Sequence, residues 1–260
     1  MALSPVSLPV ALRFPSQPLH HLDALWIQVA GTLCNLQCTH CFVSAGPGVE
    51  THGFLSRAEV AARVAEALPL GVKEFYFTGG EPFLHPEMVE IVADTLAHGP
   101  TTVLTNGTLM TRAIVERLRA LDRGSRYALE IRVSLDGASA AEHDRFRGDG
   151  SFARTVSGVR RLEDAGLAPI LTITRTRDED PLVFRERILV WLRGEGLSRL
   201  RLKLLPMFRL GRGRRDPAAT TTRRRWACFR PRRSTPRGSM WIVPRGDEPR
   251  RVRVPAARRR

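Results

Sequence analysis

Cys34-Asn35-Leu36-Gln37-Cys38-Thr39-His40-Cys41 gathers three of the chain's four cysteines into eight residues, spaced x3 and then x2, directly behind an apolar run. Three thiolates on one short loop can face a single inorganic centre. An iron-sulfur cube has four iron corners and is ordinarily held by four cysteines. A loop with three therefore leaves one iron open to a small molecule. A structural zinc site would instead close a tetrahedron with four ligands, commonly three Cys and one His. His40 is a poor fourth ligand, because it directly precedes Cys41 and would have to bend back beside its neighbour. The open cluster is the favoured reading, with zinc or redox thiols as its alternatives. A disulfide framework fails on parity and on context, since no secretory signal stands upstream.

Around that loop the composition is that of a globular chain. Its 260 residues are 43% hydrophobic, enough for one large domain or a domain with an appendage. No apolar run approaches a membrane span, and Met1 to Val10 lacks the basic start and apolar middle of a signal peptide. A cytoplasmic protein without a membrane partner is the expectation, in a compartment that keeps thiols reduced. The net charge of +15 is not spread over the chain: residues 209–260 hold 18 arginines against Asp216, Asp247 and Glu248. The body is neutral by formal count.

Read in order, residues 1–22 form a proline-rich leader, 23–212 a core domain and 213–260 a basic tail. Ala24 to Ala30 is a strand that delivers the chain to the cysteine loop. Ser56 with Glu59 makes a capping box, and Val60, Val64 and Leu68 recur on one helical face. The unit then repeats. Strands at 74–77, 101–105, 129–135, 169–174 and 199–205 alternate with helices that begin near Pro86 and Thr111, carry Phe152, Val156, Val159 and Leu162, or start at Asp180-Pro181. Six strand-helix units argue for an α/β fold with an all-parallel sheet, either a partial barrel or a flat doubly wound sheet. Either architecture puts its site at the carboxyl ends of the strands.

Four motifs fall there: the cysteine loop, Thr78-Gly79-Gly80-Glu81-Pro82, Asn106-Gly107 and Asp136-Gly137. Two consecutive glycines let backbone approach a ligand closely, and Glu81 adds a carboxylate acceptor for a cation. Alone, those residues could equally be a turn.

Cys-x3-Cys-x2-Cys followed by Gly-Gly-Glu-Pro resembles the radical S-adenosylmethionine (radical SAM) enzymes. That resemblance implies a partial (β/α)6 barrel and a [4Fe-4S] cluster on Cys34, Cys38 and Cys41. It also implies S-adenosyl-L-methionine chelated to the fourth iron through its amino and carboxylate groups, with Gly79, Gly80 and Glu81 contacting the amino group. Ser134-Leu135-Asp136-Gly137, with His143-Asp144-Arg145-Phe146-Arg147-Gly148 downstream, is similar to the SPASM and twitch branch, which includes peptide-modifying and sulfatase-maturing enzymes. On that likeness Ser134 contacts the cofactor's ribose or carboxylate and Arg147 its carboxylate, as a bidentate, permanently charged group can. The competing reading makes Asp136 and Asp144 caps of the ensuing helix, with Arg145 or Arg147 paired to them on the surface. Asn106 is a weaker candidate, since Thr-Asn-Gly is also an ordinary turn. His20, His21, His52, His85 and His98 form no ligand spacing and are read as solvated loop residues.

The chemistry the resemblance implies is one-electron reduction of the cluster by a donor such as flavodoxin or ferredoxin, cleavage of S-adenosylmethionine to methionine and a 5'-deoxyadenosyl radical, and hydrogen abstraction from an unidentified substrate, a peptide by branch. No catalytic base is readable. The other class of function is a vestigial iron-sulfur protein that keeps its cluster without turnover. The resemblance fades beyond Leu205-Pro206-Met207-Phe208-Arg209-Leu210-Gly211-Arg212. The branch should carry further cysteines there for auxiliary clusters, yet only Cys228 follows. Residues 213–260, rich in Arg, Pro, Ala and Gly, read as an out-of-frame translation of GC-rich DNA, as a natural loss of the auxiliary domain, or as a disordered arm for nucleic-acid phosphates, the first being preferred.

Overall fold

The computed structural model describes residues 21–175, 179–197, 199–207, 210–215 and 237–242. The leader up to residue 20 and most of the tail, Cys228 included, lie outside them. Strands β1 (His21–Gln28), β2 (Glu74–Thr78), β3 (Thr101–Thr105), β4 (Leu129–Ser134), β5 (Ile170–Arg175) and β6 (Arg201–Pro206) stand at the positions their apolar runs predict. Between them run α1 (Arg57–Ala67), α2 (Met88–Leu96), α3 (Arg112–Gly124), α4 (Ala140–Arg147), α5 (Ser151–Asp164) and α6 (Pro181–Gly194). The capping box at the start of α1 is formed, with Glu59 Oε2 accepting from Ser56 N at 2.7 Å and Ser56 Oγ accepting from Glu59 N at 3.3 Å. Among the described residues, no helix is long and apolar enough to cross a membrane.

All pairings are parallel, and β6-β5-β4-β3-β2-β1 follow one another across the sheet in sequence order. Each crossover steps the same way, so right-handed connections put every helix on one face. A doubly wound sheet needs a reversal of strand order, which these six units lack. Leu25, Ile27, Phe75, Phe77, Val103, Ile131, Val133, Leu171 and Ile173 point at the helices and form one core with Val64, Ile91, Leu118, Leu162 and Ile188.

The opposite face is concave and, among the described residues, carries no helix. Trp26 and Tyr76 stack there at 4.1 Å. Arg132 of β4 reaches over β3 to lie 5.2 Å from the Tyr76 ring centre, and Arg201 of β6 reaches over β5 to Glu130 of β4 at 3.2 Å. Contacts that skip a strand on that face fit a curled half-barrel. Its polar, half-buried residues also explain why β4 alternates (Leu-Glu-Ile-Arg-Val-Ser) where a sheet covered on both sides would not.

Two features depart from the expected layout. The fourth crossover holds two helices, because Gly148 and Gly150 take φ of +97° and +69° and break the chain between α4 and α5. The signal was present in Ser139, whose side chain caps α4 by accepting from Glu142 N at 3.3 Å. Within the tail, Arg237–Ile242 forms a further parallel strand, β7, beside β1, in a region read as irregular.

Candidate functional site

The cysteine loop lies across the carboxyl rim of the half-barrel. Internally it is pinned by Cys34 N to Gly46 O at 3.3 Å, Gly46 N to Thr32 O at 3.1 Å and Cys41 N to Cys38 O at 3.2 Å. Its outward contacts reach four other units. Leu33 O accepts from Glu81 N at 2.9 Å, Asn35 Nδ2 donates to Thr108 Oγ1 at 2.8 Å, Thr39 N donates to Phe146 O at 2.8 Å, and Cys41 O accepts from Arg212 N at 3.0 Å. The loop therefore touches the ends of β2, β3 and β6 and the helix after β4.

Cys34, Cys38 and Cys41 are free thiols that share an apolar nest with Leu36 and Ala45. Burial pushes the Cys34 thiol up to about 11, with smaller contributions from Glu81, Cys38 and Cys41. Burial raises Cys38 as well, opposed by the guanidinium of Arg147. Such a nest disfavours thiolates unless a cation is present, and a bound metal deprotonates coordinating thiols outright. The donor set is soft and all-sulfur, which suits iron-sulfur chemistry. Among the described residues no three His, Cys, Asp or Glu side chains are gathered tightly enough for a single ion. A cube offers each thiol its own corner, so the three need only line one rim.

The double glycine permits a close approach of the turn after β2 to the cysteine loop. A Cβ on Gly80 would stand 1.8 Å from Leu33 O, and one on Gly79, at φ +134°, 3.0 Å from Ala30 N. The loop after β2 is thus pressed against the start of the cysteine loop. Glu81 is fully buried, and its carboxylate accepts from Thr105 Oγ1 at 2.6 Å, Asn106 N at 2.8 Å and Phe83 N at 3.1 Å. Burial pushes this carboxyl up, while those three bonds favour its ionised form. Its side chain thereby ties the turn after β2 to the turn after β3. Asn106 does reach the thiols: its Nδ2 lies 3.9 Å from Cys34 Sγ and donates to Asn35 Oδ1 at 2.8 Å.

Asp136, for which the sequence offered only a helix-capping role, is a hub of the site. Its Oδ2 accepts from Arg147 Nε at 2.6 Å and from His40 Nε2 at 3.0 Å, and its Oδ1 accepts from Thr174 N at 3.1 Å. Burial opposes its ionisation, but Arg147 and His40 outweigh burial and hold the carboxyl far below the usual range. The helix-capping reading holds for Asp144, which accepts from Phe152 N at 2.7 Å and Ser151 Oγ at 2.9 Å. It fails for Asp136, and the Asp136–Arg147 pair is buried, not on the surface. Ser134 ends β4 on the concave face, level with Thr172 of β5. The expectation of solvated histidines is corrected at His85, which is buried and bonds Leu55 O at 2.9 Å through Nε2. Arg212, missed entirely, donates from Nε to Cys38 O at 2.8 Å and from Nη2 to Ala45 O.

The sequence profile of the Radical SAM superfamily matches residues 29–176, more than half of the chain. The AdoMet-dependent heme synthase of Methanosarcina barkeri is 39% identical over 142 residues, which cover 54% of this chain and 38% of that protein. The antilisterial bacteriocin subtilosin biosynthesis protein AlbA of Bacillus subtilis is 35% identical over 136 residues, covering 52% of this chain and 29% of AlbA. The chain spans less than two fifths of the length of these relatives. Among solved structures, Streptococcus suis SuiB bound to precursor peptide SuiA aligns with a TM-score of 0.60 at 16% identity, covering 73% of this chain and 40% of SuiB.

Proposed function

The chain belongs to the radical SAM superfamily, and from that premise we propose that it binds a [4Fe-4S] cluster through Cys34, Cys38 and Cys41 together with S-adenosylmethionine, and modifies a peptide. The observation that carries the reading is one loop presenting three free thiols, with no fourth cysteine among the described residues, over the rim of a half-barrel. With these groups bound, an external one-electron donor allows reductive cleavage of S-adenosylmethionine to methionine and a 5'-deoxyadenosyl radical, which removes hydrogen from the substrate.

The chain's own residues supply position and dryness. Gly79 and Gly80 set the height of the rim beside the cysteine loop. Asn106 places an amide beside Cys34. Arg147, held by Asp136, keeps a fixed positive charge near Cys38, which suits the carboxylate of S-adenosylmethionine. Ser134 faces the trough in which a substrate carbon can meet the radical while the apolar nest excludes water.

A peptide substrate is supported by the kinship with AlbA. The higher identity to the heme synthase favours a second reading, a tetrapyrrole substrate. Anaerobic reconstitution tests the core of the proposal. Iron and sulfide near four each per chain, and 5'-deoxyadenosine formed on adding dithionite and S-adenosylmethionine, are expected. Zinc in place of iron, or a loaded protein that yields no 5'-deoxyadenosine, would overturn it.

A further inference from the structure

The cysteine loop follows β1 and Arg212 follows β6, at opposite ends of the six consecutive strands. In a flat sheet five strand spacings would separate them by about 24 Å. Yet the turn Gly211–Arg215 lies directly on the loop. Arg212 N donates to Cys41 O at 3.0 Å, its Nε to Cys38 O at 2.8 Å and its Nη2 to Ala45 O. One residue thus satisfies three carbonyls of the segment that carries the thiols.

The approach is built for contact. Gly211 takes φ +54°, and a Cβ there would fall 2.4 Å from both Cys41 O and Phe42 O. Beneath it, Met207 packs against Phe146 of α4, whose carbonyl in turn receives Thr39 N. The half-barrel's rim is therefore closed at this point by side chain and turn, and among the described residues β6 and β1 are not paired.

We infer that Arg212 is a positioning residue for the cluster: it clasps the cysteine loop to the end of β6 and so holds the thiols in the arrangement that accepts iron. This rests on the proposed cluster ligation only for its consequence. The clasp itself concerns the metal-free chain. A lysine keeps the charge and rotatable donors but lacks the planar fork that spans both side-chain contacts.

The test compares full-length wild type, Arg212→Ala and Arg212→Lys. In the metal-free proteins, hydrogen exchange at the amides of residues 34–46 is read by mass spectrometry. Arg212→Ala should exchange about tenfold faster there, Arg212→Lys should fall between, and the amides of β3 and β4 should be unchanged. In reconstituted proteins, iron release to a chelator should accelerate in the same order. Unchanged loop exchange in Arg212→Ala, or exchange that rises equally throughout the sheet, would overturn the clasp. A wild type that takes up no iron, with the loop exchange still graded, sinks the proposed cluster and leaves the clasp standing.

Discussion

His40 Nε2, inside the cysteine loop, lies 3.0 Å from Asp136 Oδ2 at the exit of β4, although 96 positions separate the two in sequence. The same oxygen receives Arg147 Nε at 2.6 Å, so one buried carboxylate fastens the loop, α4 and β5 together.

Removing that carboxylate leaves Arg147 as an uncompensated buried charge. Asp136→Asn should lose on the order of 3 kcal/mol of unfolding free energy in urea titrations of the metal-free protein. The double variant Asp136→Leu/Arg147→Met should recover much of that stability while binding S-adenosylmethionine no better than the single one. If stability and binding recovered together, Arg147 would have no role beyond the pair.

His143 is fully buried, and its Nδ1 accepts from Asp136 N at 3.1 Å, which requires the neutral ring. Burial, helped by Arg147, brings its pKa down from 6.5 to about 4, against the opposing pull of Asp136 and Asp144. The unfolded chain thus binds a proton between those values that the folded one refuses. Stability should fall, by on the order of 3 kcal/mol, as pH drops from about 6.5 to about 4. The depressed carboxyls of Asp136 and Asp144 lose their contribution only below about pH 4. His143→Gln should flatten the stability profile in the upper window alone, measured by melting at half-unit pH steps.

Gly80→Ala would force a methyl to 1.8 Å from Leu33 O, a backbone atom that cannot step aside cheaply. A loss of at least about 3 kcal/mol and failed iron uptake are expected. Gly53→Ala meets nothing within 4 Å at an ordinary φ and should stay within about 0.5 kcal/mol of wild type. Equal melting temperatures for the two variants would contradict the close approach.

Glu81→Ala strips the acceptor from the backbone N–H groups of Phe83 and Asn106 and from the Thr105 hydroxyl. About 2 kcal/mol or more should vanish from the metal-free protein, before any cofactor is added. Glu81→Gln keeps one acceptor oxygen and should lose less. A carboxylate needed only for ligand contact would leave the metal-free melt untouched.

Cys38→Ala should abolish iron incorporation and 5'-deoxyadenosine formation while preserving the fold, judged by circular dichroism. Retention of a full iron complement would remove Cys38 from the ligand set.

The sequence was informative where local chemistry decides structure. Short apolar runs placed six strands, four of them followed by Cys, Gly-Gly, Asn-Gly or Asp-Gly turns, and the spacing of Cys34, Cys38 and Cys41 marked the loop on the rim. It was silent where function depends on pairs far apart in the chain. Nothing near Asp136 announces His40, and nothing near Arg212 announces Cys38, 174 residues away. Gly80 and Glu81 were recognisable as special, but their protein partners were not legible, because a small residue beside an acid gives no local sign that Leu33 and Thr105 close on it. His85 misled for a similar reason: a histidine in a loop gives no local sign that Leu55 O awaits its ring.

The fit of Gly80 under Leu33 has a bearing on protein engineering. A designer who transplants the thiol-bearing segment from Leu33 to Cys41 into another scaffold would carry over only half of a moulded pair. The recipient must also offer a bare backbone at the matching height in the turn after the adjacent strand, or the graft will sit proud and its sulfurs will splay.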